Sequence, residues 1–161
     1  MSKISKITNL IIEESKNSDI NFKHGAILTK GSKILAKGCN KSRSKFMNIL
    51  QTCIHAELDV VHNYATTVLH RNINFKKKNI YTPELSKCTL WVGRVNKEDN
   101  LGESKPCLIC LGYLKRLGIK KIGYSNTTGE MIVKKIGDID TQHLSDAQIT
   151  LLSKDRDWIS I

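Results

Sequence analysis

The 161-residue sequence predicts an α/β fold of three layers, α/β/α, in which helices cover both faces of a mixed five-stranded sheet. Three observations lead there. Periodic segments follow one another as helix, hairpin, helix, strand, helix, strand, strand, helix. Residues 88–95 (Cys-Thr-Leu-Trp-Val-Gly-Arg-Val) form an apolar run of strand length. The turn Asn126, Thr127, Thr128, Gly129 is too short for a helical crossover, so the last two strands are expected to form an antiparallel hairpin.

Ile4, Ile7, Leu10 and Ile11 recur at helical spacing and place a first amphipathic helix over about residues 2–16. Residues 24–29 and 33–38 read as two strands joined by Lys30, Gly31 and Ser32. Residues 40–51 are polar and basic without a sustained period and read as a loop. A helix then starts near residues 52–55 and carries Leu58, Val61 and Tyr64 inward. Residues 66–87, Asn- and Lys-rich and containing Pro83, are a long connection that holds a short helix or is an insertion. After the strand at 88–95 comes a polar loop at 96–105. Pro106 opens a helix through Leu117, proline suiting the first helical position and Gly118 the end. Residues 119–125 and 130–136 read as strands, and Leu144, Ile149, Leu151 and Leu152 mark a last helix. No repeat or linker interrupts the chain, so residues 1–161 are expected to be one domain.

Hydrophobic content of 40% and charged content of 25% are those of a soluble globular protein. Lys3, Lys6, Glu13 and Glu14 interrupt the isoleucines of the N-terminus, which therefore lacks the apolar core of a secretion signal. No apolar run is long enough to span a bilayer. Five cysteines cannot all pair within the chain, and two form Cys-x-x-Cys, which suits an intracellular metal site better than a disulfide framework. A cytoplasmic protein with no membrane partner is the expectation. The formal net charge of +11 is unevenly placed. Between Asp19 and Glu57 there is no acidic residue, while Lys23, Lys30, Lys33, Lys37, Lys41, Arg43 and Lys45 are all basic. This stretch reads either as an attraction for a phosphate-bearing substrate or nucleic acid, or as a solvated lysine surface.

Two motifs carry the chemistry: His55-Ala56-Glu57 and Pro106-Cys107-Leu108-Ile109-Cys110. They supply three zinc ligands, His55, Cys107 and Cys110, and a carboxylate, Glu57, that is free to move protons. A zinc ion with three protein ligands keeps a position open for water, as catalytic sites do. Cys107 and Cys110, three apart, share one helix face. Pro106 is expected to place both in the first turn, where unpaired amides and the helix dipole favour thiolate. His55 and Glu57, two apart, do not share a helix face. They converge on one point only if it lies off the end of their helix. The pattern therefore demands that two helix N-termini meet at one metal. A closed structural site, with Cys39, Cys53 or Cys88 as fourth ligand, is the alternative, but it leaves the placement of Glu57 and Pro106 unexplained. His62 lies two turns from His55, about 10 Å along the helix, too far to share its metal.

His-x-Glu followed by Pro-Cys-x-x-Cys is the signature of zinc-dependent base deaminases, and at these residues the chain resembles the cytidine deaminase-like superfamily. Lys23 to Leu28, then Gly31 through Ile34 to Asn40, resemble the first hairpin of that family. Thr89 to Val92 resemble its central strand, and Gly118 to Ile122 the next. The resemblance implies a zinc hydrolase in which Glu57 passes the proton of water to the ring nitrogen and then to the departing ammonia. It also implies that Asn40 contacts sugar or base, that Ala56 offers its backbone beside the ring, and that His24, Gly25 and Ala26 line the pocket floor. For His24 an ordinary packed histidine is the competing reading, and Trp91 reads as core rather than as a stacking platform. Lys105 stands directly before Pro106, where many relatives have Glu or Ser, and the span from His55 to Cys107 is long. The expected substrate is a cytosine-type nucleoside or nucleotide. The alternatives are a base editor acting on tRNA or a single strand, and a non-catalytic zinc-binding scaffold subunit. Relatives commonly assemble, so a homo-oligomer is expected.

Overall fold

The computed structural model describes residues 2–42, 45–46, 49–50 and 55–141. The helix expected around Leu144 to Leu152 lies outside the described residues, as does Cys53.

Helix α1 (Lys3–Ser15) begins at Ser2, whose hydroxyl accepts the Ser5 N–H, and buries Ile7 and Ile11. Strands β1 (Lys23–Lys30) and β2 (Lys33–Cys39) form the expected hairpin through Gly31, whose φ of 61° suits glycine. The stretch read as a loop contains a small antiparallel ladder instead, β3 (Lys45–Phe46) with β4 (Ile49–Leu50). Two-residue strands are too short to leave an alternation in the sequence. Helix α2 (Ala56–Thr67) follows, capped by His55 and burying Leu58, Val60, Val61 and Tyr64.

The long connection after α2 is a packed strap. Phe75, Ile80 and Leu85 are buried in the main core, the last in a 3-10 helix over Pro83–Lys87. Phe75 stacks on Tyr113 with ring centroids 4.7 Å apart, and the Thr82 N–H donates to the Leu117 carbonyl at the end of the following helix. Isolated apolar anchors on irregular backbone have no period to detect.

Strand β5 (Thr89–Val95) is the centre of the sheet. A short strand β6 (Leu101–Gly102), inside the expected polar loop, adds to its end at Arg94 and Val95. Helix α3 (Leu108–Leu117) ends at Gly118, whose left-handed backbone (φ 100°) closes it. Strands β7 (Lys121–Ser125) and β8 (Met131–Lys135) complete the order β2-β1-β5-β7-β8, with β6 beside β5. The mixed sheet thus has six strands rather than five. The pair β5/β7 is parallel and β7/β8 antiparallel, so the last two strands form the expected hairpin.

Alternation along the strands divides the core between the two faces. Ile27, Trp91 and Val95 pack under α1 with Ile7 and Ile11. Trp91 is core, as read from the sequence, and its Nε1–H donates to Thr29 Oγ1 at 2.9 Å. Ala26, Leu28, Leu90, Val92 and Ile122 pack under α2 and α3 in the larger cluster. The candidate site lies on this second face, at the end where both helices begin.

Candidate active site

Each ligand-bearing motif folds as a helix start. His55 has extended backbone (φ −76°, ψ 151°) and is the N-cap of α2, and Cys107 (φ −72°, ψ 165°) is the N-cap of α3. This corrects the placement of both cysteines in the first turn of a helix opened by Pro106. Proline lies one residue outside the cap, and only Cys110 is in the first turn. The reason is that the Cys107 sulfur does a capping residue's work, accepting the Cys110 N–H at 3.4 Å. The two helix N-termini converge as the spacing demanded. His55 Nδ1 lies 3.2 Å from Cys110 Sγ and 3.6 Å from Cys107 Sγ, and the three ligand atoms lie within 4.8 Å of one another.

These separations fit zinc. Bonds of about 2.3 Å to sulfur and about 2.0 Å to nitrogen, set tetrahedrally, place S and N about 3.5 Å apart. The hydrogen bond with Cys110 and then the neighbouring His55 hold the Cys107 thiol well below its ordinary range, against the opposing effect of burial. Among the described residues this is the only such metal-ligand cluster. Cys39 and Cys88 are buried elsewhere, and the Cys88 thiol donates to the Glu84 carbonyl. His62 is half-buried further along α2.

Glu57, the second residue of α2, is only 5% exposed and is not part of the ligand cluster. Burial pushes its carboxyl up to about 6. His55 works against that rise and Cys107 adds to it. Such a carboxyl changes protonation close to neutrality, as a proton carrier must. Ala56 is fully buried at the first position of the same helix.

The facing wall comes from the ends of β2, β1 and β5. His24 pairs with Arg94 across β1/β5, and the Asn40 N–H donates to the His24 carbonyl. By alternation His24 shares the site face with Ala26, and Arg94 shares it with Val92. Gly25 lies on the other face, where an added Cβ would run into the Ile11 carbonyl of α1. Gly25 therefore has only its backbone to offer a pocket. His24 Nδ1 is 3.2 Å from the Phe22 carbonyl, which can only accept, so the proton sits on Nδ1 and Nε2 keeps its lone pair. Burial, with help from the nearby His55 and Arg94, lowers the imidazole to about 4, so it is neutral at pH 7. Asn40 is committed to the same segment: its Oδ1 accepts the His24 N–H at 2.9 Å and its Nδ2 donates to the Phe22 carbonyl at 2.7 Å.

Sequence reading missed three residues here. The Arg94 guanidinium lies 4.8 Å from the ring of Phe22, which is 64% exposed. A charged residue in register with Leu90 and Val92 inside an apolar run was the available signal for Arg94. Phe22 carried no such mark. Asp59, fully buried on α2, was not singled out, although a carboxylate one turn from a ligand motif could have been. The basic stretch is also less available than its composition suggests. Lys23 donates to the Ser18 carbonyl and Lys41 pairs with Asp59.

Two helix N-caps that bring His, Cys and Cys together beside a buried non-ligand carboxylate define a site for zinc-dependent hydrolytic chemistry. Residues 1–126 match the model of the family described as "Cytidine and deoxycytidylate deaminase zinc-binding region", and the chain belongs to that family. It is a deaminase of the cytidine-deaminase type, and zinc is its metal. A comparison with curated proteins gives no match. Among solved structures, the chain is similar to the cytidine deaminase from Burkholderia pseudomallei. The identity is 20%, the coverage 91% of this chain and 99% of that one, and the TM-score 0.55, a likeness of fold. The dCMP deaminase from the cyanophage S-TIM5, solved in complex with dCMP and dUMP, matches at 23% identity over 76% of this chain and 77% of that one, with a TM-score of 0.46. No described helix is long and apolar enough to cross a membrane.

Proposed function

We propose that this chain hydrolyses the exocyclic amino group of a cytosine-type nucleoside or nucleotide, with Glu57 as proton carrier and His55, Cys107 and Cys110 as the zinc ligands. The observation that carries the reading is Glu57, buried beside the ligand cluster yet outside it, with its carboxyl near 6. Zinc, when bound, supplies Lewis acidity toward water at neutral pH.

The carboxylate of Glu57 accepts one proton of the attacking water and delivers it to N3 of the ring while the hydroxyl adds to C4. Glu57 then carries the second proton to the exocyclic nitrogen, the C4–N4 bond breaks, and ammonia leaves with the uracil-type product formed. Water and cytosine are consumed in equal number and no oxidant or reductant is required. His24 stays neutral and holds a hydrogen-bond acceptor on this face of the sheet. Arg94, which lies over the Phe22 ring and pairs with His24 across β1/β5, offers a positive charge to a 5′-phosphate and favours the nucleotide form of the substrate.

The test is ammonia release over a panel of free bases, nucleosides, nucleotides and short single strands. Release from a cytosine nucleoside or nucleotide, abolished in Glu57→Ala with one zinc per chain retained, is the expected result. No release from any member of the panel by the zinc-loaded protein would overturn it. Release from single strands alone, falling steeply with salt, would assign the chain to nucleic-acid editing instead.

A further inference from the structure

Asp59 is a fully buried carboxylate that the deamination scheme does not use. It projects from α2, one turn after His55, and its backbone N–H donates to the His55 carbonyl at 3.0 Å. Its side chain reaches out of the helix to the end of β2. Oδ2 accepts the Cys39 N–H at 3.0 Å, and the Lys41 ammonium lies 3.2 Å from Oδ1 and 3.1 Å from Oδ2. One carboxylate thus holds the residues on both sides of Asn40. Asn63, one turn further along α2, adds a bond from Nδ2 to the Lys37 carbonyl at 2.8 Å and a longer one to Asp59 itself, at 3.4 Å.

The strand and the helix also touch without side chains. Gly38 lies so close to α2 that a Cβ there would stand 2.5 Å from the Val60 nitrogen. Gly38 therefore allows the backbones to approach closely, and Asp59 holds the next residues of β2 at that separation. Asn40, fixed between its two clamped neighbours, passes the constraint on. Its side chain holds the His24 amide and the Phe22 carbonyl, at the base of the wall that carries His24 and, through its stack on Phe22, Arg94. A continuous chain of bonded atoms therefore runs from the helix that starts at His55 and carries Glu57 to the wall facing it.

We propose that Asp59 is a positioning residue: its carboxylate, bonded to Cys39 and Lys41, sets the distance between Glu57 on α2 and the Asn40–His24 wall. The role of that distance in turnover rests on the deaminase reading, whereas the clamp itself does not. A carboxylate suits the task because it accepts from the Cys39 N–H and Lys41 together, and both bonds are largely shielded from water. Removing it leaves a buried amide without its acceptor and a half-buried ammonium without its counter-charge.

Two measurements on zinc-loaded full-length Asp59→Ala and Asp59→Asn test this. The first is amide hydrogen exchange, which needs no substrate. In Asp59→Ala the Cys39 and His24 amides are expected to exchange at least about tenfold faster, while Leu90 in the centre of the sheet keeps its protection. Asp59→Asn retains an acceptor for Cys39 and is expected to fall between wild type and Asp59→Ala. The second is steady-state deamination, well below the unfolding temperature and with zinc content checked. Asp59→Ala is expected to lose about 10- to 100-fold in kcat/KM, mostly in kcat, with partial rescue in Asp59→Asn. Faster exchange at Cys39 without any change at His24 would overturn the proposal. So would wild-type kcat and KM in an Asp59→Ala protein that is merely less heat-stable. If Asp59→Ala does not fold, the same comparisons are made on Asp59→Asn against wild type. A wild-type protein that deaminates nothing would sink the deaminase reading and leave the clamp to be judged by exchange at His24.

Discussion

The close approach of β2 to α2 makes Gly38→Ala the most demanding test of how the site is built. The added Cβ would lie 2.5 Å from the Val60 nitrogen, 2.8 Å from its Cα and 3.0 Å from the Asp59 carbonyl carbon. An ordinary contact begins near 3.4 Å, so the shortest of these is about 0.9 Å too close (3.4 − 2.5). All three atoms are backbone of a regular helix, and no side chain can swing away to relieve them. Helix and strand must separate by about 1 Å, at an overpacking cost of about 1–3 kcal/mol. The smaller unfolded-state entropy of alanine offsets about 0.4–1 kcal/mol of that. A net loss of about 1 kcal/mol lowers the midpoint of thermal unfolding by about 2–4 °C in a chain of this size. Activity should suffer more than stability, because the displaced helix carries both His55 and Glu57, and an ångström of misplacement is worth about 10²-fold in rate. Urea denaturation and steady-state deamination on the zinc-loaded variant measure the two effects. Gly102→Ala and Gly137→Ala, where nothing lies within 4 Å of the added Cβ, are the controls and should stay within about 0.5 kcal/mol of wild type. A Gly38→Ala protein as stable and active as those controls would show that β2 and α2 are not held at this separation.

Glu57→Gln should lose deamination by about 10²- to 10⁴-fold while zinc analysis still finds one ion per chain. The same substitution should stabilise the zinc-free protein at pH 7. A carboxyl raised from 4.5 to about 6 by burial binds its proton more tightly folded than unfolded, so the native state loses about 2 kcal/mol as pH rises through that window. Urea titrations should show the gain shrinking to nothing below pH 4.5. His24 has the opposite linkage. With its folded value lowered to about 4, the unfolded chain binds the extra proton, so stability falls as pH drops from 6.5 toward 4, by up to about 3 kcal/mol less what partial solvent contact screens. Chemical denaturation should find a flatter profile over that range in His24→Phe. His55→Ala, Cys107→Ala and Cys110→Ala should each lose bound zinc, and chelation of wild type should lower its melting temperature, since free zinc a thousandfold above its dissociation constant stabilises by about 4 kcal/mol. Thr29→Val should cost about 1–2 kcal/mol in thermal unfolding, because it leaves the buried Trp91 N–H without its acceptor.

Much of this protein was legible in one dimension. His55, Cys107 and Cys110 were identifiable as a candidate ligand set because zinc coordination restricts residue type and spacing, and both are written in the chain. That two helix starts must meet follows from 3.6-residue geometry alone. The antiparallel end of the sheet followed from a turn too short to cross over. Features that rest on no periodicity escaped. The two-residue strands β3, β4 and β6 are held by backbone pairing that carries no side-chain code. Phe75, Ile80 and Leu85 look like stray apolar residues until the fold folds them into one core. The capping role of Cys107 depended on one backbone angle, which placed Pro106 outside the helix.

Residue type and spacing were enough to mark a candidate zinc ligand set, a carboxylate outside it, and most of the strands and helices that carry them. The wall that faces Glu57 exists only once the layers have packed. Asn40 just after β2, His24 on β1 and Arg94 on β5 form it, braced from α2 by Asp59, and neither their mutual distances nor the burial that moves Glu57 to about 6 and His24 to about 4 has any counterpart along the chain. Both arise when water is excluded between surfaces that the chain order keeps apart, and that happens only once the layers have packed.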